Sequence, residues 1–321
     1  MNLYKVPLII CFILFSQTAW SQLLDDASPD FTKKDSLRGS ISKYRIYDVK
    51  FYDLSLDINL DQKTIRGSNK IHFLATTDLK RVQVDLFEGL NIDGIQDENG
   101  KELVFKREYD AIFIDFPDPL IEGGIYWINV QYSGAPTAAK RPPWDGGFAW
   151  SKDSNGDHWV GVACQGVGAS LWWPNKDHLS DEPDSMRISV TVPKDYINVS
   201  NGTLRNTKRR GKKTEYEWFV ANPINNYNVS LNIAKYDHFS EIYQNEVGER
   251  LNIDYYVLPE NLDKAKTQFK DTRPMIEAFE HYFGPYAFYE DGFKMIDVPY
   301  LGMEHQSAVA YGNSYLKGYN G

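Results

Sequence analysis

From Tyr44 onward, apolar and polar residues take turns along the chain. Asp48 to Leu60 alternates almost without error, which predicts a half-buried strand. Asp61-Gln62-Lys63-Thr64 turns the chain into a second strand over Ile65 to Leu74. Further strands are predicted at Val82–Leu86, Leu90–Ile95, Leu103–Lys106, Ala111–Phe116 and Ile125–Tyr132, with Asn99-Gly100 and Glu122-Gly123-Gly124 as turn signals. No helical period interrupts them. Many short strands in succession define an antiparallel, sandwich-like or saddle-like all-β domain.

Between Gly134 and Asp184 the alternation breaks. Trp144, Trp150, Trp159, Trp172 and Trp173 crowd into this stretch. Tryptophan suits both a core plug between sheets and the wall of a ligand site, and the pattern alone leaves both open. Alternation resumes at Met186–Val192 and continues to Ile233. Within it, Arg205 to Lys213 concentrates basic residues around Gly211, as expected of a solvated hairpin tip.

A second regime starts near Ile242. Arg250–Val257 reads as a strand, followed by the one strongly helical segment, Asn261 to Phe283. Leu262, Ala265, Phe269, Thr272, Ile276, Phe279 and Phe283 fall on one face at three- and four-residue steps. Asn261 is the expected N-cap, Pro274 a kink or break, and Gly284-Pro285 the stop. Phe293–Val298 is then a strand. The expected organisation is an all-β domain over 44–241 and the beginning of an α/β domain over 242–321, whose apolar helix face (Phe269, Ile276, Phe279, Phe283) lacks partners in this chain.

The 321 residues are 42% hydrophobic and 25% charged, an ordinary globular balance with ample core. The formal net charge of -9 leaves no basic excess to neutralise phosphates, so nucleic acid is excluded as a partner. Lys5, the apolar run Val6 to Phe15 and Ala19-Trp20-Ser21 make a signal peptide over residues 1–21, too short to span a bilayer. The protein is therefore expected to be exported, periplasmic or secreted, with no stable membrane anchor. Residues 22–43 lack any period and read as a flexible leader. Of the two cysteines, Cys11 lies in the signal peptide, so Cys164 has no partner for an intrachain disulfide and is expected as a small buried hydrophobe. Asn198, Asn201 and Asn228 stand in Asn-x-Ser/Thr sites, which matter only in a glycosylating host.

One feature near the end of the chain does not fit a purely structural strand. Val298 to Gly312 carries Glu304 directly after Gly302-Met303, and a buried acid costs free energy unless something pairs with it. Gly302-Met303-Glu304-His305 resembles the Gly-x-Met-Glu-Asn motif of the M1 zinc aminopeptidases. Two further stretches match in the same order. Ala163-Cys164-Gln165-Gly166, with Leu171-Trp172-Trp173-Pro174 and Asp181-Glu182-Pro183, is similar to the family's Gln-Cys-Glu/Gln and Trp-Phe-Pro…Asp-Glu-Pro segments. Phe279-Glu280-His281-Tyr282-Phe283-Gly284-Pro285-Tyr286 resembles its helix end. The likeness covers residues 44–321. His305 departs from the usual Asn, and Ala169 and Ser170 stand where many members carry arginines.

The resemblance implies zinc-dependent removal of N-terminal residues from peptides by a thermolysin-like domain. Glu304 would hold the substrate's α-amine with Gln165 as its partner, and the main chain of Gly302 and Met303 would pair with the substrate as an added strand. It also implies zinc bound through His-Glu-x-x-His. None of His72, His158, His178, His238, His281 or His305 begins that motif. The expectation is thus an incomplete chain that supplies amine-binding elements but no catalytic or metal residue, the zinc ligands lying beyond residue 321. The alternatives are a non-catalytic M1-like binder and an unrelated β-sandwich binding module.

Overall fold

The computed structural model describes residues 30–316; the expected signal peptide, residues 1–21, and residues 22–29 of the leader lie outside them. The described residues from Lys34 onward form one compact unit. Its organising strand is Tyr47–Asn59, which pairs antiparallel with Thr64–Ala75 and parallel with Ser185–Pro193. The register shifts between Val49 and Phe51, a bulge after which Tyr52, Leu54, Leu56 and Ile58 all face the core. Seven strands make this sheet, in the order Thr203–Arg210, Lys213–Val220, Ser185–Pro193, Tyr47–Asn59, Thr64–Ala75, Ile125–Gly134, Leu90–Asp97. A four-stranded sheet and a three-stranded sheet complete the β-domain, and one large core, including Trp172 and Trp173, fills it.

Two strands, Gly147–Lys152 and His158–Ala163, occupy the tryptophan-rich stretch where alternation failed. Phe148, Ala149, Val160, Val162 and Ala163 are all buried, so neither strand shows a polar face to mark it. Trp172 and Trp173 have no exposed surface, and Trp150 and Trp159 pack against the core. Only Trp144 of this cluster is well exposed, at 68%. The core-plug reading therefore holds over the site-wall reading. The basic run is an exposed hairpin tip, with Gly211 in the turn between strands. Asn198 and Asn201 are fully buried, and Asn201 donates to the Asn228 and Gln306 carbonyls, so neither presents an amide for glycosylation in the folded chain.

The leader needs correction. Residues 34–36 and 43–45 form 3-10 turns, and the segment between is fastened to the β-domain. Gly39 N donates to Asp85 Oδ2 (3.2 Å), Arg38 Nε to Ser170 Oγ (2.7 Å) and Ser42 Oγ to Gln83 Oε1 (2.9 Å). These are single polar contacts rather than an apolar face, which is why no period announces them.

The second sheet has five strands in the order Asp237–Gln244, Arg250–Val257, Phe293–Asp297, Val309–Tyr311, Gly302–Met303, three of them in parallel register. Helices α1 (Leu262–Gln268) and α2 (Thr272–Phe283) cover it, separated by a 3-10 turn at Phe269–Asp271. Pro274 sits in the first turn of α2, where its missing N–H breaks no helical bond. Gly284, at φ 94°, ends the helix as expected. Asn261 does not cap: its side chain donates instead to Asp297 Oδ2 (3.1 Å). Phe269 and Ile276 are buried in a second core with Leu251, Ile253, Tyr255 and Phe293, so half the helix face has partners after all. Phe279 and Phe283 remain exposed, at 54% and 81%.

Candidate functional site

Gly302 and Met303 form a two-residue strand at the edge of the second sheet, paired with Tyr311 and Ala310. Gly302 has φ +123°, and a Cβ there would meet the Ala310 carbonyl at 2.8 Å, so the position tolerates only glycine. Met303 is buried in the main core, which turns the next side chain, Glu304, outward to solvent. The turn that follows is bound to the β-domain. Gln306 N donates to Asn228 Oδ1 (3.2 Å), Asn201 Nδ2 to the Gln306 carbonyl (2.7 Å), and Gly202 N to Ser307 Oγ (2.8 Å).

Gln165 reaches this carboxylate from the other side. Cys164 follows directly on the strand His158–Ala163, and its carbonyl accepts from Val167 N and Gly168 N, closing a tight turn with Gln165 exposed at its tip. Gln165 Nε2 donates to Glu304 Oε1 at 3.3 Å, across 139 residues of sequence. A third group joins them: the Tyr227 hydroxyl donates to the same oxygen, also at 3.3 Å. Burial and the Glu304 charge push the Tyr227 phenol up, so it stays a donor. Tyr227 was not among the sequence candidates. It lies in a polar run, Asn225 to Asn228, with no spacing that marks it.

Two buried titratable side chains flank the site. His305 is buried, with neither ring nitrogen bonded, and burial pulls its pKa down to about 4. Cys164 is buried and its thiol is pushed up to about 12, so it is a core residue and not a nucleophile. The Tyr300 hydroxyl donates to the Val162 carbonyl (3.2 Å), pinning the strand that precedes Gln165 to the segment that precedes Glu304. A cavity of about 690 Å³ opens beside the site, lined in part by Gln165 and Tyr227.

A carboxylate with two neutral donors on one oxygen, exposed at a cleft, is suited to receive a protonated amine through charge-assisted hydrogen bonds. Among the described residues no group of three or more His, Cys, Asp or Glu side chains is placed to hold an ion. One carboxylate with two neutral donors does not fit zinc.

Residues 49–227 match the Peptidase M1 N-terminal domain, and the chain belongs to that family. It is 22% identical over 244 residues to the probable aminopeptidase 2 of Sulfurisphaera tokodaii, covering 73% of this chain and 27% of that protein. Among solved structures, the M1 zinc metallopeptidase of Deinococcus radiodurans superposes with a TM-score of 0.70 at 19% identity, over 87% of this chain and 62% of that one. A substituted form of it bound to a Tyr-Ser-Ala substrate gives a TM-score of 0.71 at 19% identity, over 88% and 64%. The chain thus spans about a quarter of the curated relative and under two thirds of the solved ones. At this identity the solved structures establish a shared fold.

Proposed function

We propose that this chain is the exported amine-binding portion of an M1-type aminopeptidase, acting on peptides with a free N-terminus. The observation that carries the reading is the meeting of Glu304 with Gln165 and Tyr227, side chains from three separate segments converging on one carboxylate oxygen. Glu304 receives the substrate's protonated α-amine, and Gln165 and Tyr227 hold its carboxylate in place. The open edge of Gly302–Met303 offers main-chain groups to an extended substrate. Zinc, where such an enzyme binds it, would activate water for hydrolysis, and no His-Glu-x-x-His occurs among these 321 residues to hold it. The signal-like start, residues 1–21, supports export. A β-domain over 44–241 followed by the start of a catalytic domain from 242 is the division we propose, with a small second core of Tyr243, Leu251, Ile253, Tyr255, Phe269 and Ile276 lying wholly in the later part.

Amine binding tests the reading directly. In an NMR titration of the 321-residue chain, L-alaninamide is expected to bind and N-acetyl-L-alaninamide to fail. Glu304→Gln should weaken the amine by about tenfold or more, the worth of a charge-assisted hydrogen bond. The same chain given zinc should not cleave L-alanine p-nitroanilide. Equal binding of the acetylated probe, or an unaffected Glu304→Gln variant, would sink the assignment. Cleavage would place catalytic groups within these residues.

A further inference from the structure

Gln165 and Tyr227 reach Glu304 from different segments, and each is held by different means. Gln165 stands on a turn closed by its own backbone. Tyr227 belongs to the 3-10 turn Asn226–Asn228, and its hydroxyl lies 3.3 Å from Glu304 Oε1, at the long end of a hydrogen bond. A relative shift of a few tenths of an ångström between the two segments would lose it. Something must therefore fix this turn against the segment that follows Glu304.

Asn201 does so. It has no exposed surface and sits at the corner where the chain leaves Ile197–Val199 in the four-stranded sheet and enters Thr203–Arg210 in the seven-stranded one. Gly202 sets the corner: it has φ +74°, and a Cβ there would meet the Phe219 carbonyl oxygen at 2.0 Å. Asn201 Nδ2 donates to the Asn228 carbonyl (2.9 Å) and to the Gln306 carbonyl (2.7 Å), and its Oδ1 accepts from Ser230 N (2.7 Å). Asn228 completes a closed set, since its own Oδ1 accepts from Gln306 N at 3.2 Å. Asn228 follows Tyr227 directly, and Gln306 lies two positions beyond Glu304. One planar amide thus sets the separation of the segments that bear the donor and the carboxylate. Buried donors meet no competing water, so their loss would strand two carbonyls and let the segments drift apart.

We propose that Asn201 and Asn228 are positioning residues of the amine site. The pair holds the Tyr227 hydroxyl at hydrogen-bonding distance from Glu304 and so keeps the carboxylate aimed before an amine arrives, which lowers the ordering cost of binding. Neither side chain acts on the amine; both act through the segments that carry Tyr227 and Glu304. This role rests on the amine-binding reading of Glu304. It goes beyond that reading by giving two asparagines away from the carboxylate a part in binding and not only in the fold.

The test is the dissociation constant of L-alaninamide, by NMR titration of the full 321-residue chain. Tyr227→Phe and Asn201→Ser should each weaken binding by about fivefold, near the worth of one neutral hydrogen bond. Combined, they should still weaken it by only about fivefold, because the asparagine acts through the hydroxyl that phenylalanine lacks. A residue that merely stabilised the fold would leave the affinity of the folded chain unchanged. One that reached the site by another route would make the two losses multiply, to about 25-fold. Asn228→Ala, at a half-buried position, removes the acceptor of Gln306 N and should behave as Asn201→Ser does. It decides the matter if Asn201→Ser does not fold. Affinity within about twofold of the wild type in both asparagine variants, or in Tyr227→Phe, overturns the role, as do multiplied losses. If Glu304→Gln still weakens binding in that case, the amine-binding reading survives. Failure of the wild type to bind overturns the two together.

Discussion

At the scale of single residues, burial decides chemistry. Cys164, His305 and Lys294 are all titratable, and all three are displaced toward their neutral forms by loss of solvent. His305 gives the clearest consequence. Its folded pKa of about 4 lies below the unfolded value near 6.5, so the unfolded chain binds the extra proton first. The stability tied to neutral His305 is complete above about pH 6.5 and is lost progressively as pH falls toward 4, on the order of 3 kcal/mol in all. In urea unfolding, the midpoint of the wild type should therefore fall more steeply between pH 7 and pH 4.5 than that of His305→Asn. Parallel pH profiles would show that His305 is accessible to protons in the folded state.

Among elements, the second helix of the α pair shows how a single apolar stripe can have two fates. Ile276 and Phe269 pack under the sheet, whereas Phe279 and Phe283, one and two turns further on, stack loosely on each other at 5.8 Å in solvent. Ile276→Ala should cost about 2–5 kcal/mol in chemical denaturation, the range for emptying a core site. Phe279→Ser should change stability by less than about 1 kcal/mol, since it removes little buried area. A large loss at Phe279 would mean that its ring is covered in solution. The same contrast explains why periodicity over-reads: it registers the stripe but not where the covering layer stops.

On the scale of the whole molecule, buried polar groups reinforce an apolar core that already crosses from the β-domain to Tyr256, Ile296, Val298, Tyr300 and Met303. Asp291, without exposed surface, accepts from Ala221 N (2.7 Å) and from the Asn222 amide groups of the β-domain. Lys294, equally enclosed, donates to the Gly202 carbonyl, and its Nζ lies 5.3 Å from the Trp218 ring centre. The Asp297 carbonyl accepts from Trp159 Nε1 (3.1 Å) and the Tyr236 hydroxyl (2.8 Å), while its carboxylate accepts from Leu258 N (3.0 Å). Such a seam couples the sheets, because breaking it exposes unsatisfied groups on both sides. Calorimetry of the chain should show one transition, and Asp291→Ala should lower it as a unit, at a cost of about 3 kcal/mol for the orphaned donors. Two separated peaks, in wild type or variant, would show that the cores melt independently.

The sequence by itself determined the strands with one wet face, the helical stripe, its break and its glycine stop, because each is written in a period or a backbone preference local to a few residues. It also singled out Glu304, Gln165, Gly302 and Met303, through short motifs whose spacing survives in linear order. The tertiary structure alone decided the rest. The Gly147–Lys152 and His158–Ala163 pair was hidden because strands buried on both faces lose alternation. Tyr227 joined the site, and the leader was fastened to the β-domain, through polar contacts between residues far apart in the chain. A hydrogen bond across 139 residues leaves no trace in local pattern; it exists only once two separately specified segments have been packed against one core.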